Sequence, residues 1–84
     1  MITKFIALID KALNKEIDGF LISIDIEDFA CDYFYEMEKE HTEAAWFIGE
    51  VSEITEPVEP SDDYSHFLEA LQDFKDGLIE ILNK

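Results

Sequence analysis

Apolar residues recur along this chain at the three- and four-residue spacings of helices, with little of the strict alternation that marks a half-buried strand. Ile2, Phe5, Ile9 and Leu13, with Ile6 and Ala12 beside them, fall on one face of a first helix that Thr3 can cap. Lys4, Asp10, Lys11, Asn14 and Lys15 take the opposite face. Asp18-Gly19 reads as its stop, because glycine just past a helix end accepts the conformation that closes the last turn, so the helix should end by about Ile17. Phe20 to Ile24 is a short apolar run with no second run to pair with, and reads as a packed connector. As a strand it would need a second copy of the chain.

Asp25 is placed as the N-cap of a second helix, with Asp28 three residues on as an aspartate version of the capping box. Ile26, Phe29, Ala30, Tyr33 and Met37 share its inner face, Phe34 lies at the edge, and Asp28, Asp32 and Tyr35 face outward, with an end near Glu40. Thr42 caps a third helix in which Ala44, Phe47, Ile48, Val51 and Ile54 form a stripe, while Trp46 falls on the side of Glu43, Glu50 and Glu53. Pro57 ends it, because the residue before a proline avoids helical geometry. Ser61 caps the last helix, with Asp62 and Asp63 in its first turn, where the positive end of the helix dipole offsets their charge. Tyr64, Phe67, Leu71, Phe74, Leu78 and Ile81 then make a heptad-like seam, and Gly77 weakens the helix by about 1 kcal/mol relative to alanine. The expectation is an all-α single domain, an antiparallel four-helix bundle with short links.

Charge changes this picture. Twenty-one acids stand against six lysines, with no arginine, for a net charge of −15. Residues 25–63 hold 14 of the acids and one lysine, Lys39, so the excess is concentrated in the middle of the chain. Nucleic acid and anionic membranes would be repelled, because both require a positive footprint. One cysteine, Cys31, excludes an internal disulfide and fits a cytoplasmic chain, and the N-terminal apolar stretch is too charged for a targeting or membrane segment.

Catalytic signatures are missing from the sequence. Three glycines form no phosphate-binding loop, His41 and His66 stand alone, and there is no nucleophile elbow or zinc motif. A calcium loop begun at Asp25 would put Phe29, Cys31 and Tyr33 at ligand positions, so it fails, and Glu53, Glu56, Glu59 and Asp62 could hold a hard cation only loosely. No enzyme, metal or cofactor is expected.

What remains is an acidic surface. Glu50, Glu53, Glu56 and Glu59 recur every three residues through two prolines into Asp62 and Asp63, and Asp32, Tyr35 and Trp46 project from the same outer faces. An aromatic anchor rimmed by charge is the composition of a protein interface, the ring burying area and the charges selecting a partner of opposite sign. The plainer alternatives are a solvated acidic face and a Trp46 packed on a neighbouring helix or on the 20–24 connector.

The stretch Ile24 to Phe29 (I-D-I-E-D-F), the acid-rich run into E-P-V-E-P-S-D-D at 56–63, and the long final helix together resemble the colicin D type immunity proteins and their bacterial self-protection relatives. The chain departs from that pattern by a longer connector at 18–23 and by lacking arginine. The resemblance implies a small four-helix protein that binds the nuclease domain of a toxin, commonly one that cleaves transfer RNA, and covers its active site. Carried over by position, Glu53, Glu56, Glu59, Asp62 and Asp63 would face the toxin's basic residues; Asp32, Tyr35, Trp46 and Glu50 join them from the helical faces. A nucleic-acid mimic of phage type, acting on another nuclease or DNA-binding protein, would share this surface, and a monomer or weak dimer is expected.

Overall fold

The computed structural model describes residues 1–15, 18–60 and 64–84, and all its regular structure is helical, with no strand among the described residues. Helix α1 spans Ile2–Leu13 and buries Ile2, Phe5, Ile9 and Ala12, the face that its apolar spacing selects. It ends earlier than Ile17: Asn14 closes it, and Lys15 turns the chain with a positive φ of 58° while its N–H bonds the Ala12 carbonyl. Glu16 and Ile17 lie outside the described residues.

Asp18-Gly19 opens a helix instead of closing one. The Asp18 carboxylate accepts from the Phe20 and Leu21 N–H groups and caps α2, Gly19–Asp32, so the run Phe20 to Ile24 is helical and neither connector nor strand. Asp25 is therefore an exposed residue in mid-helix and not an N-cap. Helical phase places Ile22, Ser23, Ile26 and Ala30 in the core and leaves Leu21 and Ile24 outside, which explains how a largely apolar run sits in a half-buried helix.

The second predicted helix is also divided. Tyr33 leaves helical geometry at φ −114° and ψ 16°, and α3, Phe34–Glu40, starts beyond it. Tyr33, expected in the core, is consequently exposed, with its ring against Phe29 at 4.7 Å. Extended backbone at His41 separates α3 from α4, Thr42–Ile48, and the His41 Nδ1 accepts from the Ala44 N–H, so His41 and not Thr42 caps α4. A 3₁₀ turn at Gly49–Val51 joins α4 to the short α5, Ser52–Thr55. The last helix, α6, spans Ser65–Leu82 and buries Phe67, Leu71, Phe74 and Leu78 as its seam requires; the expected cap Ser61 lies outside the described residues.

Helix α1 packs against α2 and α6, α4 against α3 and α6, and α5 against α2 and α6. The interior is aromatic: Phe5 meets Phe29 and Phe74, and Phe47 stacks on Phe74 at 4.5 Å. Two glycines make this packing possible. A Cβ on Gly19 would lie 2.5 Å from the Tyr64 ring, and one on Gly77 would lie 2.9 Å from Phe47, so the helix-weakening Gly77 gives Phe47 room to stack. Lys75 on α6 pairs with Asp10 on α1 at 2.6 Å. At the other end, Glu40 accepts from the Met1 amino group at 2.7 Å and the Ile2 N–H at 3.2 Å, capping α1 from α3; Thr3, the expected cap, lies inside the helix.

Candidate functional site

Tyr35 and Trp46 come from different helices and converge on one ring. The turn at His41 folds α4 back along α3, and Phe34 meets Tyr35 and Trp46 edge-on, both at 5.9 Å. Trp46 Nε1 donates to Glu38 at 3.0 Å, which fixes the indole on the surface. Tyr35 is 75% and Trp46 63% exposed, so Trp46 is not absorbed by a neighbouring helix or by the Phe20 to Ile24 run. A large ring in water leaves apolar area unburied, and two such rings held around a third form a patch ready to lose water to a partner.

Beside this cluster runs a groove of about 420 Å³ lined by Glu27, Cys31, Phe34, Tyr35, Gly49 and Ser52 among others. It lies between the junction of α2 with α3 and the 3₁₀ turn, so the break at Tyr33 and the turn at Gly49–Val51 shape its walls.

The acids occupy the outer side of α4, α5 and the link. Glu43, Glu50, Glu53, Glu56 and Glu59 are exposed, as is Asp32 at the end of α2. Glu43 meets Lys84 at 3.5 Å, whereas Asp32, Glu50, Glu53 and Glu56 make no ion pair among the described residues. Glu53 lines a second groove, of about 340 Å³, with Pro57, Val58, Tyr64 and His66. Tyr64 closes the link by donating its hydroxyl proton to the Pro60 carbonyl at 2.9 Å. Asp62 and Asp63 lie outside the described residues.

Of the predicted site residues, the structure brings Tyr35 and Trp46 onto Phe34, leaves Glu53, Glu56 and Glu59 exposed further along the chain, and places Glu53 in a separate groove against α6. Sequence reasoning missed Phe34, Glu38, Glu27 and Gly49. Glu38 and Trp46 are eight residues apart across a turn, a relation that no helical period encodes. Gly49 did carry a local signal, since an isolated glycine inside a helical pattern costs about 1 kcal/mol relative to alanine. The Glu40 carboxyl is held below its ordinary 4.5 by the hydrogen bond from the Met1 amino group and then by that from the Ile2 N–H.

Among the described residues no three His, Cys, Asp or Glu side chains converge to hold a metal ion, and no helix is long and apolar enough to cross a membrane. Compared with known protein families, with characterised proteins and with solved structures, the chain finds no match.

Proposed function

We propose that this protein is a stoichiometric inhibitor, an immunity protein that binds a basic toxin nuclease domain and covers its active site through the acidic side of α4, α5 and the link to α6. The observation that carries the reading is that Glu50, Glu53 and Glu56 are exposed and without cationic partners among the described residues, in the segment that follows an exposed Trp46. Fixed carboxylates without internal partners cost the fold self-repulsion and favour association with a surface of opposite charge. A nuclease gathers lysine and arginine to hold phosphates, so such carboxylates can occupy the same groove as electrostatic competitors. The class of inhibitor follows the resemblance of residues 24–29 and 56–63 to the colicin D type immunity proteins.

In this reading α2 with α3, and α4 with α5, each serve as one kinked arm of an antiparallel four-helix bundle, which holds the acids in place and limits the entropy lost on docking. The protein acts in the cytoplasm, without a cofactor and without catalysis of its own. The test is co-expression with the basic domain encoded by the adjacent reading frame, followed by calorimetry on the purified pair. Growth rescue and a 1:1 complex that weakens steeply with salt are expected, and Glu53→Lys with Glu56→Lys should weaken it by roughly 2 kcal/mol or more, as like charges meet. A neighbour whose toxicity or nuclease activity is untouched by equimolar protein sinks the reading. Inhibition of a DNA-binding regulator in place of a toxin would move the protein to the nucleic-acid mimics.

A further inference from the structure

The three glycines of this chain separate into two kinds. Gly19 and Gly77 admit no Cβ without moving an aromatic ring, so the packing accounts for both. Gly49 differs: its φ of −58° and ψ of −20° suit any residue, and a Cβ there would meet the Phe34 ring at 3.5 Å, an ordinary contact. Neither backbone conformation nor space requires glycine at this position. Helix propensity disfavours it. What glycine does here is leave open the wall of the groove that Tyr35, Phe34 and Glu27 line.

We infer that this groove receives an arginine side chain of the basic partner, stacked on the exposed Tyr35 ring with its charge toward Glu27. The inference rests on the inhibitor reading above and names the contact that reading lacked. Charge complementarity selects the occupant. No basic side chain lines the groove, Glu27 stands in its wall, and the surrounding segment from residue 25 to 63 carries 14 acids against one lysine. A second copy of a chain with net charge −15 would be repelled from that wall. The aromatic rings select arginine over lysine, because a planar, weakly hydrated guanidinium stacks on a ring face and donates sideways to a carboxylate at once, whereas an ammonium is a compact, strongly hydrated point charge. Tyr35 owes its presentation to the break at Tyr33 and to edge contact with Phe34, which also meets Trp46.

The experiment is an NMR titration of the whole protein with hexa-arginine and, separately, hexalysine. Hexa-arginine should bind about threefold more tightly, the scale of one exposed cation–π contact, with shifts centred on Glu27, Tyr35, Gly49 and Ser52. Gly49→Leu, which fills the wall, and Tyr35→Ser, which removes a mostly exposed ring, should each abolish the arginine preference. Using both keeps the result readable if Gly49→Leu disturbs the fold. Equal affinities, shifts centred on Glu53 and Glu56, or a preference that survives Tyr35→Ser overturn the groove assignment and leave the inhibitor reading to its co-expression test. Absence of binding by either peptide, or self-association mapped to the groove, overturns it too. A neighbouring domain that is never inhibited, with the groove still selecting hexa-arginine, removes the nuclease reading alone.

Discussion

The outer helices α1 and α6 and the central segment α2 to α5 use similar residues to different ends. In α1 and α6 the apolar stripes are consumed by the core, the solvent face of α6 is the row Glu69, Asp73, Asp76 and Glu80, and Lys75 pairs with Asp10 across the pair. In the centre the helices break at Tyr33 and His41 and tighten at Gly49, and among the described residues five of the six large exposed apolar ones fall between Leu21 and Trp46. Apolar area left in water contributes nothing to folding, and crowded carboxylates oppose it. The apolar residues of the flanks are mostly spent on the core, whereas in the centre large rings stay in water beside carboxylates that make no ion pair among the described residues, which is where the proposed partner would bind.

The contrast between the two regions is steepest in the core. Phe5 is fully buried against Phe29 and Phe74, so Phe5→Ala should cost about 3–5 kcal/mol, most of the stability of a small domain. Trp46→Ala, larger in atoms removed, should cost within about 1 kcal/mol, because its ring is mostly in water. Urea titration of both variants measures the contrast. A Trp46→Ala loss equal to that of Phe5→Ala would make the central rings structural.

The glycines sharpen it next. Gly19→Ala should destabilise by about 1–3 kcal/mol through overpacking against Tyr64, while Gly49→Ala should stabilise by up to about 1 kcal/mol from helix propensity alone. Thermal unfolding followed by circular dichroism reads both signs, and a destabilised Gly49→Ala would return that glycine to the fold.

The smallest effect lies where the two regions meet. Glu40 caps α1 from the end of α3 and its carboxyl titrates below 4.5 in the folded protein. A depressed folded value means that the contribution of the ionised carboxylate is complete above about pH 4.5 and is lost as pH falls through the folded value. Glu40→Gln should flatten the acid limb of a stability-against-pH curve and leave unchanged its slope above pH 4.5. An unchanged acid limb would mean that the cap carries no stability.

Much of the architecture was legible from spacing. The buried residues of α1 and the seam of α6 follow from the 3.6-residue period because a long amphipathic helix can bury its stripe only one way. Tyr35 was legible as outward-facing for the same reason, whereas the period put Trp46 on the acidic side and left open whether a neighbouring helix covered it. The segment 18–24 was misread because Asp-Gly serves equally as the end of one helix and the start of the next, and an apolar run carries no period of its own. The break at Tyr33 follows no proline or glycine, so no local signal marks it.

Sequence alone sufficed for a helical chain, for the buried faces of the two long outer helices and for a central excess of acid, because local spacing sets the first two and composition the third. Only tertiary structure decided that Phe34 gathers Tyr35 and Trp46, that Glu38 reaches across the α3–α4 turn to hold an indole, that Glu40 holds the N-terminus of α1, and that Gly49 faces a groove. These are contacts between helices, set by how segments bend and cross to fill one interior, and that filling depends on every side chain at once.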